Sequence, residues 1–171
     1  MMEAEIKEIK SENEIQLKKT ENDLVLRIKD EDGKPTGEFL RFNLQDIELP
    51  LRWQELLEND KKNRLYLKNQ FTIIEKRQDH KGKKLLSANE EAKIRAMQEF
   101  YKKEIECYNM FLGERGVQKL LNGREISWDT LDEIDEIIDK YIMPKLKVNA
   151  DEIKKKITEK YSNTKRVDVI E

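Results

Sequence analysis

The strongest structural signal in this chain is a long amphipathic segment that begins at Ser87. Its apolar residues recur at helical spacing and cover an arc of roughly 140° at about 100° per residue. They are Ile94, Met97, Phe100, Tyr101, Ile105, Tyr108, Phe111 and Leu112. Ser87 and Glu90 match a capping box, in which each side chain pairs with an otherwise unpaired backbone N–H. We therefore predict a long helix that starts at Ser87 and is ended or redirected by Gly113 and Gly116.

A different period precedes this helix, over residues 23–44. Leu24, Leu26 and Ile28 alternate with more polar positions, and the same alternation returns at Leu40 and Phe42. The intervening residues 31–37 are rich in Gly, Pro and acidic residues, which favour a turn. This arrangement predicts a β-hairpin.

The remaining segments have helical spacing. A helix is predicted over residues 51–74, with Trp53 on its apolar face, although the polar run 59–63 could divide it into two. Ser127 is a candidate cap for a helix that Pro144 would stop. Asn149 opens a short final helix that carries Ile153 and Ile157.

These elements predict a mostly α protein, a helical domain with an N-terminal β-hairpin. At 171 residues, the chain is long enough for one domain and short for two. We place this domain at residues 21–161. Residues 1–20 carry too few apolar side chains to bury a core and are predicted to be a weakly ordered arm, and residues 162–171 a frayed tail.

Charge and residue counts limit the classes of protein. The chain has 34 Lys and Arg against 36 Asp and Glu, a formal net charge of −2, which does not favour a nucleic-acid-binding protein. Apolar runs never exceed three residues, so neither a membrane span nor a signal peptide is expected. The chain has one Cys and one His, which are too few for a disulfide framework or a zinc cluster. A reducing cytoplasm is the expected setting.

The candidate reactive groups form no catalytic, cofactor or metal-binding pattern. His80 lies in a Lys-rich connection with no fixed partner, and Cys107 has acidic neighbours that disfavour its thiolate. We expect the acidic residues of 132–139 to form the solvated face of a helix rather than a cation site. Segment 75–84, with five basic and two acidic residues, is either a solvated loop or a contact for phosphates or an acidic partner. The sequence therefore predicts a protein that is not an enzyme and has no cofactor or metal.

The wide apolar arc of the long helix allows two interpretations. The helix is either packed on all of this face by the rest of the domain, or part of the face remains open as a groove for an apolar segment of a partner. The second interpretation gives six candidate partner-binding residues: Trp53, Phe100, Tyr101, Tyr108, Phe111 and Trp128.

Several stretches of the chain resemble a known family. The two most specific are FLGERGVQKLLNGR, from Phe111 to Arg124, and KKLLSANEEAK, from Lys83 to Lys93. Together with the hairpin and the ending MPKLKVNADEIKKKITEKYS, they are similar to tail assembly chaperones of long-tailed phages and prophages of low-GC Gram-positive bacteria. The similarity covers roughly residues 23–162, and the family has no well-defined site residue that could be assigned to this chain.

The resemblance implies a small helical chaperone in the cytoplasm of the infected or lysogenic host, absent from the mature virion. It would bind the tape measure protein, keep it soluble, help to recruit tail tube protein, and self-associate. The family also implies a longer frameshifted form, for which the Lys154–Lys156 codons are a candidate slip site. The alternatives are a structural head-to-tail connector or tail component, and a small regulatory binding protein.

Overall fold

The computed structural model describes residues 23–162, and the fold begins with the predicted β-hairpin. Strand β1 spans Asp23–Lys29 and strand β2 spans Pro35–Asn43, paired antiparallel. The Asp30 carboxylate accepts hydrogen bonds from two backbone N–H groups of the turn, and Gly33 adopts a positive φ of 76° that favours glycine. The hairpin forms because the alternating apolar residues of the two strands and the turn-forming residues between them favour the same local structure.

Two long helices follow and pack antiparallel. Helix α1 spans Leu49–Glu75 and helix α2 spans Ala88–Leu112. Trp53, near the start of α1, contacts Phe111 near the end of α2, while Glu75 pairs with Lys93 at the opposite end. Helix α1 is continuous through residues 59–63, so the alternative of two shorter helices is wrong.

The predicted capping box of α2 is present. The Ser87 hydroxyl accepts a hydrogen bond from the backbone N–H of Glu90 at 3.1 Å, and the Glu90 carboxylate accepts one from the Ser87 N–H at 2.7 Å. At the other end, Gly113 caps the helix with a φ of 97°. The chain then turns into the short helix α3, Gly116–Leu121.

Gly116 permits a close approach between α3 and the end of α2. A Cβ atom at this position would lie 2.5 Å from the Cβ of Leu112, an atom held rigidly by its backbone. Gly116→Ala is therefore expected to lower the free energy of unfolding by about 1–3 kcal/mol, measured by chemical denaturation. Glu114→Ala, at an exposed position two residues before Gly116, is the control and should change it by less than about 0.5 kcal/mol. A tolerated Gly116→Ala would contradict this packing.

The last part of the chain corrects two predictions. Helix α4, Trp128–Ile137, begins with a Ser127 cap as expected, but it continues through a π-helical turn, Ile138–Ile142, into helix α5, Met143–Ser162. Pro144 therefore does not stop the helix. In the π turn the Met143 N–H donates a hydrogen bond to the Ile138 carbonyl, five residues earlier. This wider hydrogen-bond spacing accommodates Pro144, which has no backbone N–H.

The second correction concerns Asn149, which lies inside α5 and does not open a new helix. Ser162, the first residue of the predicted tail, is the last residue of α5. The predicted arm, residues 1–20, and residues 163–171 of the predicted tail lie outside the described residues.

One hydrophobic core joins these elements. The inner face of the hairpin, through Leu40 and Phe42, lies against the ends of α1 and α2 and against α3. The aliphatic side chains with no exposed surface are Val117 in α3, Leu131 in α4, and Ile138 and Ile142 in the π-helical turn. The mostly α fold with an N-terminal hairpin is thus as the sequence predicts.

Candidate interaction surface

Three of the six aromatic residues predicted to bind a partner are inside the core. Phe100, Tyr108 and Phe111 each expose only 3% of their surface. Phe111 packs against both Phe42 and Trp53, with ring centroids 5.7 and 5.1 Å apart, because the hairpin and α1 cover this part of α2. These three side chains cannot form a docking surface in the folded protein, which corrects the expectation of an open groove along α2.

The other three predicted residues are more accessible. Trp53 and Tyr101 are half-buried, and Trp128 exposes 38% of its surface. Trp128 packs 5.0 Å from the ring of Phe100, and the guanidinium of Arg64 lies 5.2 Å from the indole ring centre. Most of the Trp128 ring is therefore used to close α4 over the α1–α2 pair, and only its edge is available to a partner.

Below this aromatic group, α1, α2 and α4 enclose a cluster of polar side chains. Glu104 has no exposed surface, and its Oε1 accepts a hydrogen bond from the Asn63 amide at 2.7 Å. The remaining contacts join Arg64 to Asp60 at 2.7 Å and the Tyr108 hydroxyl to Asp135 at 2.5 Å. We call the group Asp60, Asn63, Arg64, Glu104, Tyr108 and Asp135 the polar cluster.

The electrostatics of the polar cluster follow from its burial. Burial, together with the neighbouring Asp60 carboxyl and against the opposing hydrogen bond from Asn63, raises the pKa of Glu104 to about 7. Burial, reinforced by the hydrogen bond to Asp135, also raises the pKa of Tyr108. Asp135 itself is partly buried and its pKa is raised by burial, so it does not lie on the fully solvated face predicted for residues 132–139.

The sequence contains a signal for this cluster that the motif search missed. Glu104 lies four residues from both Phe100 and Tyr108, in the middle of the apolar face of α2. Asn63 similarly lies between the buried residues Leu56 and Leu67 of α1. A polar residue at the centre of an apolar face predicts a buried polar contact. The cluster is closed to solvent at Glu104, so its geometry suits helix registration better than reaction with a substrate.

The two reactive side chains examined in the sequence are not assembled into a catalytic group. His80 is exposed in the connection between α1 and α2, as is most of segment 75–84. Burial raises the pKa of the Cys107 thiol, and nearby carboxylates add to this effect, so the thiol form is favoured. Within residues 23–162, no three His, Cys, Asp or Glu side chains converge as metal ligands would.

A polar depression of about 500 Å³ lies between the hairpin turn and the end of α3. Arg124, from the stretch that resembles the chaperone family, occupies its wall and pairs with Glu133 at 2.9 Å and with Glu31 at 3.7 Å. Two carboxylates thus already neutralise this arginine. These two ion pairs hold the hairpin turn near α4. Arg124 therefore has a structural role and does not form a phosphate site.

A larger and more apolar groove lies between the hairpin and α5. It has a volume of about 920 Å³ and is walled by β1, the β2–α1 connection and one side of α5. Ile47 exposes 67% of its surface, Val148 exposes 61% and Ile157 exposes 51%. Leu24, Leu44 and Ile153 complete the apolar lining. We call this feature the α5 groove.

Charged side chains border the α5 groove, and one polar group lies within its wall. Lys145, Lys156 and Lys160 are accompanied by two carboxylates, Asp23 and Glu152. Asn149 is only 8% exposed, and its amide nitrogen has no hydrogen-bond partner among the described residues. The groove therefore offers apolar contacts along its length and charged side chains at its rim, while the Asn149 amide nitrogen lies beneath its surface.

None of the six predicted partner-binding residues lines the α5 groove. Its two walls come from residues about 100 or more positions apart in the chain. The predicted helix end at Pro144 also placed Val148 outside the preceding helix. The exposed Ile47 between hairpin and helix was the one local signal. Across residues 23–162, no helix combines the length and apolar character needed to cross a membrane.

Comparisons of this chain with protein-family models, with curated proteins and with solved structures find no match.

Proposed function

We propose that this protein is a tail assembly chaperone of a long-tailed phage or prophage. It binds apolar helical segments of the tape measure protein and keeps that protein soluble until tail tube subunits replace it. The observation that carries the proposal is the α5 groove, which leaves Ile47, Val148 and Ile157 more than half exposed. An exposed apolar groove of this kind is typical of a surface that binds another protein.

The form of the groove suits an amphipathic helix. One wall is α5, where Val148 and Ile157 lie at the two edges of the lining with Ile153 between them in the chain, and the facing wall is β1 and the β2–α1 connection with Ile47. An amphipathic helix buries its apolar face in such a groove and leaves its polar face in water. Lysines and carboxylates along the rim can pair with mixed charges on that polar face.

The stretches that resemble the chaperone family support the proposal through the fold. Lys83–Lys93 contains the capping box that starts α2, and Phe111–Arg124 contains the end of α2, Gly116 and the arginine beneath the hairpin turn. The second stretch contacts the hairpin, through Phe111 against Phe42, Gly116 beside Leu40 and Arg124 beside Glu31. The resemblance therefore concerns the scaffold that carries the α5 groove, while the groove supplies the binding surface.

The same proposal includes a cellular setting and a mode of action. The protein acts by binding, without turnover or cofactor, in the cytoplasm of the infected or lysogenic host, and self-associates through apolar surface that the monomer leaves exposed. It leaves before the virion is complete. Mass spectrometry of purified virions should therefore not detect it, whereas a head-to-tail connector would be present in every particle.

Co-expression tests the proposed chaperone activity. The tape measure protein encoded beside this gene should be mostly insoluble when expressed alone and mostly soluble when this chain is co-expressed. The double variant His80→Ala with Cys107→Ala should perform like the wild-type protein, because no reaction is involved. An unchanged soluble fraction of tape measure protein, with the chaperone itself folded and abundant, would refute the proposal.

A further inference from the structure

We infer that residues 1–22 of this chain dock in the α5 groove when no partner occupies it. The segment enters at the right place, since Asp23, the first described residue, itself lines the groove. An extended segment of 22 residues can span up to ~70 Å, whereas a helix of the length of α5 spans only ~30 Å. The segment can therefore cover the whole groove without any rearrangement of the hairpin.

The composition of this segment matches the lining of the groove. Met2, Ile6 and Ile9 are spaced so that they would share one face of a helix. Ile15 and Leu17 add further apolar side chains close to Asp23. These residues have too little apolar surface to fold by themselves, but they can be buried against Ile47, Val148 and Ile157.

Charge complementarity gives the segment a preferred site. Residues 1–22 carry six carboxylates and four lysines, a side-chain net charge of −2. Helix α5 carries six lysines and three carboxylates, and three of those lysines line the groove. An acidic amphipathic segment is thus attracted to this face of the protein, and the attraction should weaken as salt is added.

The docked segment would regulate the binding site. In this role, which rests on the proposed function, it shields Ile47 and Val148 until a tape measure segment displaces it. The docking itself depends only on this chain, so it can be tested without a partner. Failure of the docking would leave the chaperone activity to be judged by co-expression.

Thiol labelling of the full-length protein tests the docking. In a Val148→Cys variant, the maleimide labelling rate at position 148 is followed by peptide mass, which separates it from Cys107. We expect this rate to rise about tenfold when Ile6→Asp and Ile9→Asp are added, the protection expected of a segment docked nine-tenths of the time. Adding Ser11→Asp and Asn13→Asp instead introduces the same charge without removing apolar contacts, and should leave the rate low.

A second site provides the reference for accessibility. Leu65 on α1 exposes 57% of its surface and lies outside the groove, so a Leu65→Cys variant should be labelled at the same rate in every background. Equal rates at position 148 with and without Ile6→Asp and Ile9→Asp would overturn the inference. Protection at position 148 that increases with protein concentration would also overturn it, because the segment would then come from a second copy.

Discussion

The Glu104→Gln variant is expected to be more stable than the wild-type protein above pH 7, and about equally stable near pH 4.5. Burial and the neighbouring Asp60 carboxyl raise the pKa of Glu104 from 4.5 to about 7 in the folded protein. Between these values the folded chain holds a proton that the unfolded chain has released. Wild-type stability therefore falls as pH rises through this window, by up to roughly 3 kcal/mol, and Gln removes this contribution.

The chemistry of the site favours Gln as the replacement. Oε2 of Glu104 is buried and has no hydrogen-bond partner in the described structure. When Glu104 and Asp60 are both unprotonated, their carboxylates offer only acceptors and cannot form a hydrogen bond with each other. A protonated Glu104 supplies the missing donor to Asp60. The Gln amide is neutral at every pH, can donate in the same place, and can still accept the hydrogen bond from Asn63.

Denaturation free energies measured from pH 4.5 to pH 8 test this prediction. The difference between variant and wild type is the informative quantity, because other carboxyl groups, including Asp135, titrate in both proteins. Glu106→Gln, on the exposed side of the same helix, is the matched control and should run parallel to the wild type. If the Glu104→Gln curve also runs parallel to the wild type, Glu104 does not carry its proton in the folded state.

Local signals explain which parts of the fold could be predicted. The hairpin turn at Gly33 and the capping boxes at Ser87 and Ser127 depend on side chains that act within a few residues. Such interactions can be identified from sequence spacing. The elements they define are the ones that the structure confirms.

The features that were missed depend on contacts between distant segments. The π-helical turn is held by Ile138 and Ile142, which have no exposed surface, and this packing keeps the helix continuous past Pro144. The prediction that Phe100, Tyr108 and Phe111 of α2 are open to a partner was wrong for a related reason. Helical periodicity shows that a helix face is apolar, but it does not show which other segments of the chain cover that face. The α5 groove appears only when Ile47 and Val148 are brought together by the fold.

Charge placed in the α5 groove is expected to abolish partner binding without unfolding the protein. Val148 exposes 61% of its surface and Ile47 exposes 67%, so the free monomer should tolerate Asp at either position. In a complex the same carboxylate would be buried without a partner, which costs several kcal/mol. We expect Val148→Asp to weaken binding of a tape measure segment by about a hundredfold or more.

The most direct test of the account is the affinity of the purified protein for a tape measure fragment that co-expression makes soluble. Calorimetry should give the wild type and Leu65→Asp the same Kd, because Leu65 is an exposed apolar residue outside the groove. Val148→Asp and Ile47→Asp should each lose binding while their thermal unfolding remains close to that of the wild type. Wild-type affinity in Val148→Asp, or loss of binding in Leu65→Asp alone, would contradict the assignment of the α5 groove as the chaperone's binding site.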